Sequence, residues 1–234
     1  MRGWHEEEHE QQRPKFADRT EAGAVLAHHL ARFHHADAVV LGIPRGGVVV
    51  AAEVARRLGL PLDVIVARKL GAPMAEEFAI GAVTANGGRF LDHDLIERLA
   101  VSDAYLVAVT NAERAEARRR EERFRAGRPP LAVRHRTAIV VDDGLATGST
   151  MRAAVRSLRQ HEPTSVVVAV PVGSTQACAA LRQEADAVVC PFELGDLGAV
   201  GLYYADFTQT ADEEVGELLT QAQGDPLATG AGPR

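Results

Sequence analysis

Residues 138–154 read AIVVDDGLATGSTMRAA, and the order of residue types along this stretch decides the fold class. Ala138, Ile139, Val140 and Val141 form a continuous apolar run rather than an alternating one, as in a strand covered on both faces. Two carboxylates follow, Asp142 and Asp143, and then a loop of small residues from Gly144 to Thr150, out of which a helix starts near Ser149. Strand, loop and helix in that order predict a β-turn-α unit, with the loop at the carboxyl end of a buried strand.

The same pattern continues on both sides. AVVLGIP (38–44), VIVAR (64–68), SVVVAVPV (165–172) and AVVC (187–190) are further Val-rich runs, separated mostly by helix-length segments. Asp18 or Thr20 can cap a first helix with Ala22, Val25, Leu26, His29 and Leu30 on one face. Other helices are expected over Val48–Leu58, from Ser149 and from Ser174. The class predicted is α/β: a doubly wound, mainly parallel five-stranded sheet with helices on both faces.

Two insertions interrupt the alternation within residues 71–127. In the first, Asn86-Gly87-Gly88 is a hairpin turn between AIGAV and RFL. The second, residues 102–127, is a charged helix ending RRREERFRAG, whose Glu–Arg spacing reads as a solvated face. The expected organisation is a mobile arm over 1–15, one domain over 16–222 and a disordered Gly/Pro/Ala-rich tail over 223–234.

At 234 residues, with 46% hydrophobic and 25% charged, the chain can bury one sizeable core. No apolar run approaches the roughly 18 residues of a membrane span, and MRGWHEEEHEQQ has no apolar leader. Cys178 and Cys190 cannot build a disulfide framework and read as buried thiols, so a cytoplasmic location is expected. A net charge of −6 gives no general attraction to nucleic acid, so none is expected as a partner. Of 26 basic residues only Lys15 and Lys69 are lysine, which makes a lysine beside a motif informative.

The loop at 144–150 has the makings of an anion cradle. Backbone N–H groups, the free amides of a helix start and its dipole converge there, with the Thr147, Ser149 and Thr150 hydroxyls beside them. Four charge-assisted hydrogen bonds gross ~6–12 kcal/mol, against the ~8 kcal/mol that micromolar affinity requires. No lysine stands at a Gly-Lys-Ser/Thr position, and the glycine-rich dinucleotide fingerprint is absent. Asp142 and Asp143 suit vicinal ribose hydroxyls or a divalent cation held through water.

The run VVDDGLATGST (140–150) resembles the PRPP-binding motif of type I phosphoribosyltransferases, PRPP being 5-phosphoribosyl 1-pyrophosphate. It departs from the family pattern at Gly144, where an aliphatic residue is usual. The resemblance implies that Gly144, Leu145, Ala146, Thr147, Gly148, Ser149 and Thr150 hold the 5′-phosphate. It also implies that IPRGG (43–47) supplies a pyrophosphate loop through Arg45, Gly46 and Gly47, joined by Arg68 and Lys69 at the end of the second strand. Asp142, Asp143, Arg45 and Lys69 are then the expected catalytic residues, with Mg2+ on the two acids through water.

Residues 71–100 would correspond to the family's mobile loop, and a hood near 191–210 would cover the acceptor. Tyr203, Tyr204 and Phe207 are candidates to stack on an acceptor ring, or simply to pack under the hood. The implied activity is transfer of the phosphoribosyl group to a nitrogen nucleophile with release of pyrophosphate. Ala146 stands where 6-oxopurine enzymes carry an acid, which disfavours those acceptors. The rival readings are a PRPP- or nucleotide-sensing regulator and a sugar-phosphate phosphatase. A homodimer is expected by family analogy. His5-Glu6-Glu7-Glu8-His9 matches H-E-x-x-H but lies in the polar arm, and His28-His29 and His34-His35 read as helix-end residues, so no zinc site is expected.

Overall fold

A computed structural model describes residues 15–73 and 75–224. The main sheet is built from β1 (Ala38–Gly42), β2 (Leu62–Val64), β6 (Thr137–Val141), β7 (Ser165–Ala169) and β9 (Ala187–Val189), in the order β2-β1-β6-β7-β9. Every neighbouring pair is parallel, with Gly42 beside Val141 and Val141 beside Ala169 at the carboxyl ends.

Helices cover both faces. On one, Val40, Val64, Ile139 and Val167 pack with residues of α1 (Arg19–His29), α2 (Gly46–Leu58) and α7 (Asp212–Gly224). On the other, Val39, Val140 and Val168 pack with α5 (Ser149–Arg159) and α6 (Thr175–Leu181). The alternation of faces along each strand explains why all five residues of β1 are buried. The fold is the doubly wound α/β architecture expected from the sequence.

Asp18 caps α1 by accepting from the Glu21 amide at 2.8 Å, and Ala22, Leu26 and Leu30 are buried, whereas His29, expected on the same face, is exposed. The run at 64–68 divides: β2 ends at Val64, and β3 (Ala67–Ala72) starts a separate antiparallel sheet with β4 (Ala75–Thr84) and β5 (Arg89–Leu91). Arg68 and Lys69 therefore open the hairpin insertion and do not end the second core strand. The turn forms at the predicted place, with the Gly87 amide donating to Thr84 at 3.0 Å.

Rather than a bare loop, residues 71–100 carry a core of their own: Leu70, Ile80 and Val83 pack with Leu95 and Ile96 of α3 (His93–Arg98) and with Tyr105 of α4 (Asp103–Arg125). Along α4, Glu116 pairs with Arg119 and Arg120, as predicted for a solvated face. Their hydrogen bonds hold its carboxyl down at about 2. The helix end differs, because Arg125 bridges buried Asp63 and Glu121 and so staples α4 to β2.

The run at 165–172 also divides. After β7 the chain leaves the sheet, and β8 (Val172–Ser174) pairs with β10 (Phe192–Leu194). This pair, Leu197, Tyr204 and Phe16 form the small core of the hood. The helix α7 reaches Gly224, two residues into the expected tail. The rest of that tail and the arm with its His5–His9 motif lie outside the described residues.

Candidate active site

The loop leaving β6 is anchored from below. The Leu145 amide donates to Val172 at 2.9 Å, its carbonyl accepts from Ser174 at 2.8 Å, and its side chain is buried. Leu145 is thus a strut, and its N–H is not available as a phosphate donor, which corrects that part of the expectation. Ala146 and Thr147 are exposed above it, and Gly148 serves as N-cap of α5. The amides of Ser149, Thr150 and Met151 open that helix, where no intrahelical carbonyl can accept from them. Thr147 and Ser149 bring their hydroxyl oxygens within 3.5 Å. An amide-lined, hydroxyl-rimmed concavity at a helix start is the arrangement that binds a phosphate monoester.

Asp142 and Asp143 stand at the head of this loop. Asp142 Oδ1 accepts from the Asp143 amide at 2.8 Å. Burial, and next the charge of Asp143, pushes the Asp142 carboxyl well above the ordinary aspartate range. The Asp143 carboxyl is also raised by burial, against the pull of Arg19. Gly46 and Gly47 are required by this pair: a Cβ on Gly47 would stand 2.7 Å from Asp142 Oδ1, and one on Gly46 would overlap Asp143 Oδ2. The preceding peptide, Pro44-Arg45, is cis.

Beside the acids lies a cleft of ≈ 490 Å³ lined by Pro44, Arg68, Lys69, Glu113, Asp142 and Thr150, among others. The structure thereby brings together Asp142, the end of the loop and the basic pair from β3, while Asp143 stands next to this lining and not in it. Lys69 is exposed, whereas Arg68 Nε donates to Glu113 Oε2 at 2.7 Å. Arg45 lies apart from them, with Nη1 3.6 Å from Asp212 Oδ1 of α7. The sequence offered no hint of Glu113, since the charged helix that carries it reads only as a solvated face.

Arg19 is the other residue that sequence reasoning missed. Its Nε donates to Asp143 Oδ2 at 2.8 Å and its guanidinium lies 3.9 Å from the Phe207 ring centroid. The hood aromatics are mutually engaged: Tyr204 lies 5.4 Å from Phe16 and 5.0 Å from Phe207, centroid to centroid, and its hydroxyl donates to the Asp143 carbonyl at 2.5 Å. Burial drives the Tyr204 hydroxyl far above its usual range, so it stays protonated as a donor. Tyr203 packs against the hood core, and Arg19 lies against Phe207, whose ring stays 37% exposed.

Gly144, the departure from the family pattern, is explained by Val200 of the hood. A Cβ at Gly144 would overlap one Val200 methyl and stand 2.7 Å from the other. Val200 thus occupies the space that an aliphatic loop residue would fill. Gly144→Ala is expected to destabilise the protein by about 1–3 kcal/mol, because the crowding extends to Val200 Cβ at 3.1 Å, which no change of rotamer moves. Val200→Ala in the same chain should recover most of that loss. Denaturant unfolding of the double-mutant cycle checks the coupling, and additive effects would break the assignment.

The fit to Mg2+ rests on the acid oxygens. Among the described residues Asp142 Oδ2 and Asp143 Oδ1 accept no hydrogen bond, and no group of three or more metal-ligating side chains is present. One or two carboxylates suit an ion that keeps its waters and shares a diphosphate with the substrate. Elsewhere, Cys178 is buried and Cys190 half-buried, with the Cys190 thiol 3.4 Å from the Phe192 carbonyl. His28 and His29 close α1. No helix among the described residues is long and apolar enough to cross a membrane.

Comparison with known proteins points the same way. A family model described as "Phosphoribosyl transferase domain" matches residues 18–204. Two Mycobacterium tuberculosis sequences, from two strains, carry phosphoribosyl transferase as a provisional name. Each is 44% identical over 216 residues, covering 92% of this chain and 49% of its own length. The chain thus spans about half the length of the curated relatives it matches. A crystal structure of a Thermus thermophilus protein is 46% identical with a TM-score of 0.75, covering 88% of this chain and 98% of that one.

Proposed function

Since the chain belongs to the phosphoribosyl transferase family, we propose that it transfers the 5-phosphoribosyl group of PRPP to a nitrogen nucleophile and releases pyrophosphate. The observation that carries this reading is the shared cleft: Asp142, Thr150, Arg68 and Lys69 meet around one space of ≈ 490 Å³ at the carboxyl end of the sheet. A phosphate loop alone would serve any phosphate monoester. A basic pair sharing the cleft with Asp142 adds a place for a second, more highly charged group.

In this mechanism the loop amides from Ala146 to Thr150 fix the 5′-phosphate. Asp142 and Asp143 orient the ribose hydroxyls. Lys69, with Arg68 once it exchanges Glu113 for phosphate oxygens, stabilises the negative charge that develops on the departing pyrophosphate. Mg2+ bound with the diphosphate would offset further charge there. Arg45 joins only by leaving Asp212. Ala146 provides no carboxylate for deprotonating a 6-oxopurine, so the reading extends to nucleobases and other amines that reach the sugar already carrying a nucleophilic nitrogen.

Calorimetric titration tests the reading. Mg2+·PRPP is expected to bind at micromolar concentration and at least tenfold tighter than ribose 5-phosphate, as one added charge-assisted contact requires. Pyrophosphate release against a panel of nitrogen acceptors then follows turnover. Equal binding of the two ligands would remove the pyrophosphate half-site and leave a sensor or a sugar-phosphate phosphatase.

A further inference from the structure

We propose that Arg19 is a positioning residue for the acid pair: it holds Asp143 Oδ2 so that Oδ1 faces the ribose diol, and it ties that setting to the hood. The inference rests on the PRPP reading above and deepens it. Arg19 is the first residue of α1, 124 positions from Asp143 in sequence. Its side chain is 11% exposed and that of Asp143 17%. One guanidinium nitrogen, Nε, donates to Asp143 Oδ2 at 2.8 Å, and Nη1 donates to the Thr208 carbonyl of the hood at 2.8 Å. The face of the guanidinium rests on Phe207.

Asp143 is therefore gripped at two points. Its backbone carbonyl accepts from the Tyr204 hydroxyl, and its Oδ2 accepts from Arg19. Gly46 closes the third side, where any Cβ would overlap both Oδ2 and Arg19 Nε. Among the described residues Oδ1 accepts no hydrogen bond, so it is the oxygen left to a ligand. Without Arg19, the like charge of Asp142 would favour turning the Asp143 carboxylate away, and binding a diol would first have to order it. A guanidinium also spans two acceptors in a fixed plane, which an ammonium cannot. Helix α1 and the hood thus set the carboxylate before the sugar arrives.

The test compares ribose 5-phosphate with 2-deoxyribose 5-phosphate, which share the phosphate and differ in the diol. Wild type is expected to prefer the ribose compound. Arg19→Met should shrink that preference by about tenfold, the scale of one charge-assisted hydrogen bond, with inorganic phosphate binding unchanged. Arg19→Lys, which keeps the charge and loses the fork, should restore part of it, and it carries the test if the Met variant does not melt cooperatively. Asp143→Asn should abolish the preference.

A merely structural role would move inorganic phosphate and ribose 5-phosphate binding together. That outcome, or an undiminished preference in the Arg19 variants beside a lost one in Asp143→Asn, overturns the role of Arg19 alone. A wild type or an Asp143→Asn variant that fails to behave as stated overturns the ribose role of the acid pair, and the inference with it.

Discussion

Gly47→Ala is expected to cut Mg2+·PRPP affinity at least tenfold, the scale of one lost charge-assisted contact. The Cβ it adds would stand 2.7 Å from Asp142 Oδ1, 2.8 Å from Asp142 Cα and 3.0 Å from the Val141 carbonyl oxygen. Two of these are backbone atoms at the end of β6, and the Val141 carbonyl already accepts from the Ile43 amide at 2.9 Å. The end of β6 cannot recede without parting from β1. The displacement therefore falls on the Asp142 carboxylate or on the 44–47 turn, and both line the proposed diphosphate site.

Gly216→Ala is the control. Gly216 lies inside α7 with nothing within 4 Å of an added Cβ. Alanine there should be neutral or stabilising by about 0.5–1 kcal/mol and leave binding untouched. Calorimetry on both variants, with thermal melts to confirm folding, decides the matter. Wild-type affinity in Gly47→Ala would show that the acid pair need not meet that turn.

Local sequence carried the parts of this site that are local in space. Strand, acid pair, loop and helix over 138–159 are adjacent in the chain, and their residue types leave little choice of backbone. The turn at Asn86-Gly87-Gly88 was legible for the same reason. The apolar run at 165–172 could not show its own break, because Val172 leaves the sheet to pair with Phe192, twenty residues on. VIVAR likewise looks like one strand, since burial in the core and burial in the hairpin demand the same residues. Arg19 was invisible in a chain that uses arginine for 24 of its 26 basic positions. Its partner stands 124 positions away and is brought to it only by the tertiary fold. Tyr204 and Phe207 were legible as aromatics, but only packing decides whether a ring faces a ligand or its neighbours.

Asp142→Asn should make the protein more stable at neutral pH while weakening PRPP binding at least tenfold. The Asp142 carboxyl is pushed upward first by burial and second by the adjacent Asp143 charge, with Arg19 and Lys69 offsetting only part. A carboxyl that binds its proton more tightly when folded favours the native state at low pH. That contribution is complete below the ordinary aspartate value of about 3.9 and is lost as pH rises through the raised folded value. At pH 7 this carboxyl is therefore a cost borne by the fold, of the kind that functional sites retain. Asparagine keeps an Oδ1 to accept from the Asp143 amide and removes the charge. A gain of about 1 kcal/mol corresponds to a Tm increase of about 2–4 °C for a domain of this size, and the gain should shrink towards pH 4. Melting curves across pH 4–8 read the sign directly, and titration of Mg2+·PRPP on the same samples should show at least a tenfold loss, as expected when a charge-assisted contact is removed. A variant less stable than its parent at pH 7 would mean that Lys69 and Arg19 more than compensate the buried charge, and the acid pair would then be a structural ion cluster rather than a site held at a cost for binding.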